Sequence, residues 1–445
     1  METKSGFPYA ELVFDKEAKL ADTAGFDEML DSVAQGERAD VLVFVHGWNN
    51  NIEEARTWYC ELASRFREVL DGPHAPAVGN RRFLILGVLW PSKKWAERSL
   101  IAGGAASVVG SPADEEVQAR LDDLKGVFDA GDADDRLERA KALVPRLENE
   151  PAAQDEFVEL IRGVVPAGVK DDPDDFADGL LDDEGRNVLD ALSPPPPPDI
   201  DRNGGGAAGG VGGGVGGDEG GAAGLFSLSG IKAAAERLLN LTTYYQMKER
   251  AGSVGATGLN PCLRRLRERR AEARLHLIGH SFGGRLVTAA TMGDPAKPAI
   301  APDTVTLLQA AFSHYGFAKD YDPGSDGFFR PVVTAHMSRG PVLITHSKRD
   351  KAVGYAYPLA SRLGRQVAAA LGDANDRYGG IGRNGAQKTP EAVAGTLEAV
   401  GGGYAFAADK LYNLNADTII ADHSDIRRPE VAYAVLTGIA SAPVP

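Results

Sequence analysis

The stretch Leu275-His276-Leu277-Ile278-Gly279-His280-Ser281-Phe282-Gly283-Gly284 decides the fold. Its opening residues read as an apolar strand and the chain from about Gly283 reads as a helix, so Ser281 falls on the turn between them. In a chain with 53 glycines the bare G-x-S-x-G spacing carries little weight. Its setting carries more: glycines around a serine between strand and helix allow a sharp turn that lifts the hydroxyl to the carboxyl edge of a sheet. The helix N-terminus there favours developing negative charge.

The same strand-helix alternation recurs on both sides of this stretch. Upstream, Ala10-Glu11-Leu12-Val13-Phe14 is strand-like, a helical stretch follows near 25–35, and Val41-Leu42-Val43-Phe44-Val45 runs into His46-Gly47-Trp48-Asn49-Asn50. A helix over 52–70 precedes the apolar run 83–90, bounded by Arg82 and Pro91, which reads as a strand buried on both faces. Downstream of the linker described below come a helix over 231–250, a glycine-bearing loop (Gly252, Gly255, Gly258) and a basic helix opened by Asn260-Pro261. Strands at 304–308 and 341–345 and helices at 355–371 and from Pro429 complete the pattern. Short apolar strands alternating with helices predict an α/β fold with a mostly parallel, doubly wound sheet.

Between about 93 and 225 the pattern changes. A small-residue stretch, Ile101-Ala102-Gly103-Gly104-Ala105-Ala106, leads into an acidic helical block, then five prolines (Pro194 to Pro198), then a Gly/Ala run from Gly204 to Gly224. In the block, Phe157, Leu160, Ile161, Val164 and Val165 share one helical face, and Val117, Leu121, Leu124 and Phe128 another, so these helices must pack on something. The Pro and Gly runs are expected to stay disordered. Residues 1–92 and 227–445 therefore read as two parts of one α/β domain, 93–192 as an acidic helical insertion, a lid or docking subdomain, and 193–226 as a flexible linker.

The formal charge of −15 is local. Residues 111–200 hold 25 acidic against 9 basic side chains, leaving 38 acids and 39 bases elsewhere. A near-neutral body with one acidic block argues against nucleic acid as partner. The block could instead dock a basic protein. Cys60 and Cys262 are the two cysteines, which suits a reducing compartment. No leader is evident and no apolar run reaches the roughly 18 residues of a membrane span, so a soluble, cytoplasmic protein is expected.

A serine hydroxyl attacks only when a base takes its proton and an acid orients that base. In this type of fold the partners follow in the chain order Ser, Asp or Glu, His. Of the downstream histidines, His423 in Ala421-Asp422-His423-Ser424-Asp425-Ile426 is best placed, in a polar loop before a Pro-started helix. Asp350, leaving the carboxyl end of a late strand, is the expected acid, with Asp320 and Asp322 as rivals. His46 comes too early for the base. Its strand is expected to supply a backbone donor to an oxyanion: Gly47 lets the chain approach, Trp48 and Phe282 give the N–H groups, and His46, Gly47, Gly279 and Gly283 position them. Trp48, Trp90, Phe282 and the small-residue stretch near 100–110 are candidates for an acyl pocket or for ordinary core.

No Lys-Ser/Thr follows the glycine run, there is no H-E-x-x-H and no cysteine cluster, and the acidic run 171–178 lacks the spacing of a calcium loop. Neither metal nor organic cofactor is expected.

Taken together, FVHGWNN, LWPS (Leu89 to Ser92), LIGHSFGG (Leu277 to Gly284), HSKRD and ADHSDI resemble the α/β-hydrolase superfamily. They are most similar to its bacterial branch with HGxN, WPS and GHSxG motifs, which largely lacks assigned substrates. The resemblance covers about 40–92 and 230–440, and the insertion departs from it. It implies a serine hydrolase, carboxylesterase- or lipase-like, with Ser281, Asp350 and His423 as triad and a small ester or acyl substrate. An acyltransferase on the same triad, or a non-catalytic scaffold that binds a protein through its acidic insertion, are the alternative expectations.

Overall fold

The structure is a computed structural model that describes residues 1–35, 38–78, 81–92, 114–170, 178–193, 230–353 and 379–443. Among these, ten strands form one sheet: β1 (Glu2–Lys4), β2 (Phe7–Phe14), β3 (Leu20–Asp22), β4 (Ala39–Val45), β5 (Arg82–Leu89), β6 (Arg274–His280), β7 (Thr304–Leu308), β8 (Val342–His346), β9 (Ala392–Thr396) and β10 (Leu411–Asn415). The order is β1-β2-β5-β4-β6-β7-β8-β10-β9, with β3 beside β2. The pairings from β2 through to β9 are parallel, and β1 and β3 run antiparallel to β2. The sheet is thus mixed and mostly parallel.

Every residue of β4 and β6 is buried, and alternation splits each strand between two cores. Val41, Val43 and Val45 face one, with Leu275 and Leu277. Leu42 and Phe44 face the other, with Ile278. The first core is covered by helices α1 (Ala24–Gln35), α7 (Ile231–Ser253), α8 (Asn260–Arg269) and α9 (Phe282–Met292), the second by α2 (Ile52–Asp71) and α10 (Pro429–Ser441). A capping box at Asn51 and Glu54 starts α2 immediately after the His46–Asn50 turn.

The acidic block folds into α3 (Asp114–Asp123), α4 (Ala133–Leu143), α5 (Pro151–Arg162) and α6 (Gly185–Leu192). Val117, Leu121, Leu124, Phe128, Phe157, Leu160, Ile161 and Val164 are all buried, in one continuous core with Leu238 and Tyr245 of α7. Polar contacts reinforce the packing: Lys232 pairs with Asp114 at 2.7 Å, and buried Arg250 donates to Asp129 Oδ1 at 2.7 Å, Val127 O at 2.6 Å and Pro91 O at 3.1 Å. Helix α7, lying between these helices and α9, is therefore buried almost all round even at Glu236, Arg237 and Lys248.

Two expectations differ from the structure. The predicted loop at 252–258 is continuous helix: α7 runs to Ser253 and joins α8 through a π-helical turn over 254–259. Its glycines serve packing, since a Cβ on Gly255 would collide with Leu286 O and one on Gly258 with Phe14 and Ala18. Strands β1, β3, β9 and β10 have no counterpart in the sequence reading. The expected helix at 355–371, the small-residue stretch near 100–110, the acidic run 171–177 and the Pro/Gly linker lie outside the described residues.

Candidate active site

Strand register brings the candidate residues to one edge. Val45 pairs with Gly279, His280 with Leu308, and Leu308 with Thr345, so the turns after β4, β6, β7 and β8 leave the carboxyl edge at the same level. Ser281, between β6 and α9, has φ 55° and ψ −125°, a region that costs a non-glycine residue roughly 1–3 kcal/mol. The strain is held from three sides. Ser281 N–H donates to Leu308 O at 3.1 Å, and its carbonyl accepts from Gly284 N at 2.9 Å and Ala311 N at 3.0 Å. The neighbouring glycines are required by close approach: a Cβ on Gly279 would strike Gly283, and one on Gly283 would strike the Val45 and His46 carbonyls.

The turn after β4 lies against this serine. A Cβ at Gly47 would stand 2.7 Å from Ser281 Cβ and 3.1 Å from His280 Nδ1. His46 is buried and faces the Trp90–Ser92 segment. Its Nδ1 bonds Gly47 O at 2.9 Å, its Nε2 accepts from Trp90 N at 3.4 Å, and its ring stacks on Trp90 at 5.7 Å. Burial pushes its pKa down to about 4, so the imidazole is neutral at pH 7. Asn50 Nδ2 donates to the carbonyls of Gly47 (3.2 Å) and Trp48 (3.1 Å), and Ser92 Oγ donates to Asn50 O at 3.0 Å. The HGWNN and WPS segments thus fix one another. The Trp48 and Tyr244 rings pack on Phe282, the residue after Ser281, with Trp48 to Phe282 at 5.8 Å and Tyr244 to Phe282 at 5.1 Å. Trp48 is partly exposed, whereas Trp90 is core.

Asp350 and His423 meet across the same edge. Asp350 Oδ2 is 2.8 Å from His423 Nδ1, with Asp350 fully buried and His423 partly exposed. The other carboxylate oxygen accepts from Val353 N at 2.9 Å. The turn carrying Asp350 is braced by Asp417, which accepts from Ser347 Oγ at 3.0 Å and Lys348 N at 2.8 Å. Burial raises the pKa of Asp417, but those bonds and one from Asn415 outweigh it and leave it below the usual carboxylate range. Asp320 caps its own exposed turn through Gly324 N at 2.7 Å, and Asp322 bridges to Ser325. The structure brings neither to His423.

Three contributors escaped the sequence reading. His280 places Nε2 at 2.9 Å from the main-chain carbonyl of His423, with the two rings 4.8 Å apart. Gln309, at φ 44° just after β7, directs Nε2 toward Asp350 Oδ2 at 3.4 Å and Gly382 O at 3.1 Å. Tyr244 arrives from α7, far off in sequence; an aromatic inside a helix gave no hint of it. Among the described residues no hydrogen bond joins the Ser281 hydroxyl to His423; such bonds often close only when substrate is bound.

Among the described residues no three His, Cys, Asp or Glu side chains converge as a metal-binding set, and no helix is long and apolar enough to cross a membrane. No family model matches the chain, and neither a curated protein nor a solved structure matches it.

Proposed function

We propose that this chain is a serine hydrolase of the α/β-hydrolase type that cleaves an ester, with thioesters and amides as related substrates, through an acyl-enzyme on Ser281. The observation that carries the reading is the pairing of a strained serine, lifted on a strand-to-helix turn, with a partly exposed His423 bonded to a fully buried Asp350 at the same sheet edge. In this reading His423 Nε2 takes the Ser281 proton as Oγ attacks the acyl carbon. Asp350 holds the Nδ1–H and stabilises the imidazolium. The N–H groups of Trp48 and Phe282 receive the developing oxyanion, with the N-terminus of α9 behind them. The leaving alcohol departs with the proton from His423. Water, deprotonated by the same histidine, then releases the acid and frees Ser281.

His46 takes no proton in this scheme; its neutral ring and bonds to Gly47 and Trp90 hold the donor turn in place. The insertion acts through α7, fixing Tyr244 beside Trp48 and Phe282 as one wall of an acyl pocket. The two free cysteines accord with a cytoplasmic site of action. The test is turnover of a p-nitrophenyl ester series by the parent, Ser281→Ala and His423→Ala proteins, each checked for fold. Turnover lost in both variants supports the assignment, whereas equal turnover in Ser281→Ala would remove it.

A further inference from the structure

We infer that His280 is a positioning residue for His423: the bond from its Nε2–H to the main-chain carbonyl of His423 ties the histidine loop to the nucleophile turn and sets the imidazole's direction toward Ser281. This rests on the hydrolase reading of the site.

Asp350 holds His423 at Nδ1, 2.8 Å away, and a fixed point on the histidine's main chain sets the frame from which Nε2 is aimed. His280 supplies one at the His423 carbonyl, 2.9 Å away. Because His280 precedes Ser281 directly, that fixed point belongs to the nucleophile's own frame.

His280 is itself immobilised. Its ring stacks on Trp58 of α2 at 6.0 Å and 23°, and its Nδ1 edge faces the Gly47 turn, where an added Cβ would stand 3.1 Å away. A carbonyl accepts and never donates, so the proton sits on Nε2 of His280. Burial first, then the neighbouring His423, hold its pKa well below the ordinary imidazole range. A neutral His280 therefore does not compete for the proton that His423 carries. One side chain on the nucleophile's own strand thus meets the Gly47 turn, helix α2 and the histidine loop.

The experiment compares His280→Gln, which can still present an N–H to the carbonyl, with His280→Phe, which fills the space without a donor; His280→Leu replaces the latter if it fails to fold. Two readouts are taken: the rate of labelling by a fluorophosphonate, and the low-field proton resonance of the His423 Nδ1–H. Melting temperature controls for fold. The expected result is labelling slowed about tenfold or more in His280→Phe, with the low-field resonance shifted or broadened, and both largely restored in His280→Gln. Parental labelling and an unmoved resonance in His280→Phe would overturn the inference, as would a Gln variant as impaired as the Phe one. A folded parent that never labels strikes at the hydrolase reading instead, and the resonance comparison still decides the positioning role.

Discussion

Placing a methyl group on Gly47 tests whether the turn after β4 works by close approach. In Gly47→Ala the new Cβ would stand 2.7 Å from Ser281 Cβ, where carbon atoms prefer roughly 3.5–4.0 Å. Sideways relief is blocked by His280 Nδ1 at 3.1 Å and His280 O at 3.3 Å. Ser281 cannot retreat, being pinned by Leu308, Gly284 and Ala311. The turn must therefore back away by about 1 Å, carrying the Trp48 N–H with it. A displacement of that size costs on the order of 100-fold in rate, and complete loss of one oxyanion donor about 100- to 1,000-fold, or ~2.7–4 kcal/mol on the barrier. Overpacking costs a further 1–3 kcal/mol of stability, roughly. The assay is kcat and KM on a p-nitrophenyl ester, with Gly403→Ala as control because nothing lies within 4 Å of a Cβ there. The expected outcome is a folded Gly47→Ala protein with KM near the parent's and kcat down about 100-fold, and a control equal to the parent. A folded Gly47→Ala protein with kcat within about threefold of the parent would refute the oxyanion role proposed for this turn.

Three further outcomes follow from the same contacts. Asp350→Asn removes the carboxylate that fixes the His423 tautomer, and kcat should fall by about 10,000-fold, read on the same ester. His46 titrates near 6.5 when unfolded and at about 4 when folded, so between those values the unfolded chain binds more protons. Its share of stability, on the order of 3 kcal/mol, is present above pH 6.5 and is lost as pH falls toward 4; urea midpoints at pH 7.5 and 4.5 should differ less in His46→Asn than in the parent. Arg250→Ala breaks the bonds that join the insertion to the body and should cost about 2–3 kcal/mol, seen as a lower melting temperature and new protease cuts within 114–193.

Much of the sheet was readable because β4, β5 and β6 are buried on both faces and so appear as unbroken apolar runs. The last two strands lacked that signature. Residues 411–415, LYNLN, bury two leucines three positions apart, off the two-residue period of a strand, and 392–396, AVAGT, form a half-exposed edge of small residues, so neither stands out from a loop. The π-helical turn at 254–259 misled for a different reason: Gly255 and Gly258 mark close packing against α9 and β2, which a sequence cannot distinguish from a turn. At the site, Ser281, Asp350 and His423 could be proposed from chain order and strand ends. His280 and Gln309 could not, because their contacts depend on which way a side chain leaves the sheet edge and on a backbone angle of φ 44° at Gln309.

The most direct test of the central claim is to treat the purified protein with a fluorophosphonate and map the adduct by mass spectrometry of its peptides. The expected result is one adduct, on Ser281, absent from Ser281→Ala and strongly reduced in His423→Ala. A folded protein that forms no adduct, or one modified on another serine while Ser281 stays free, would contradict it.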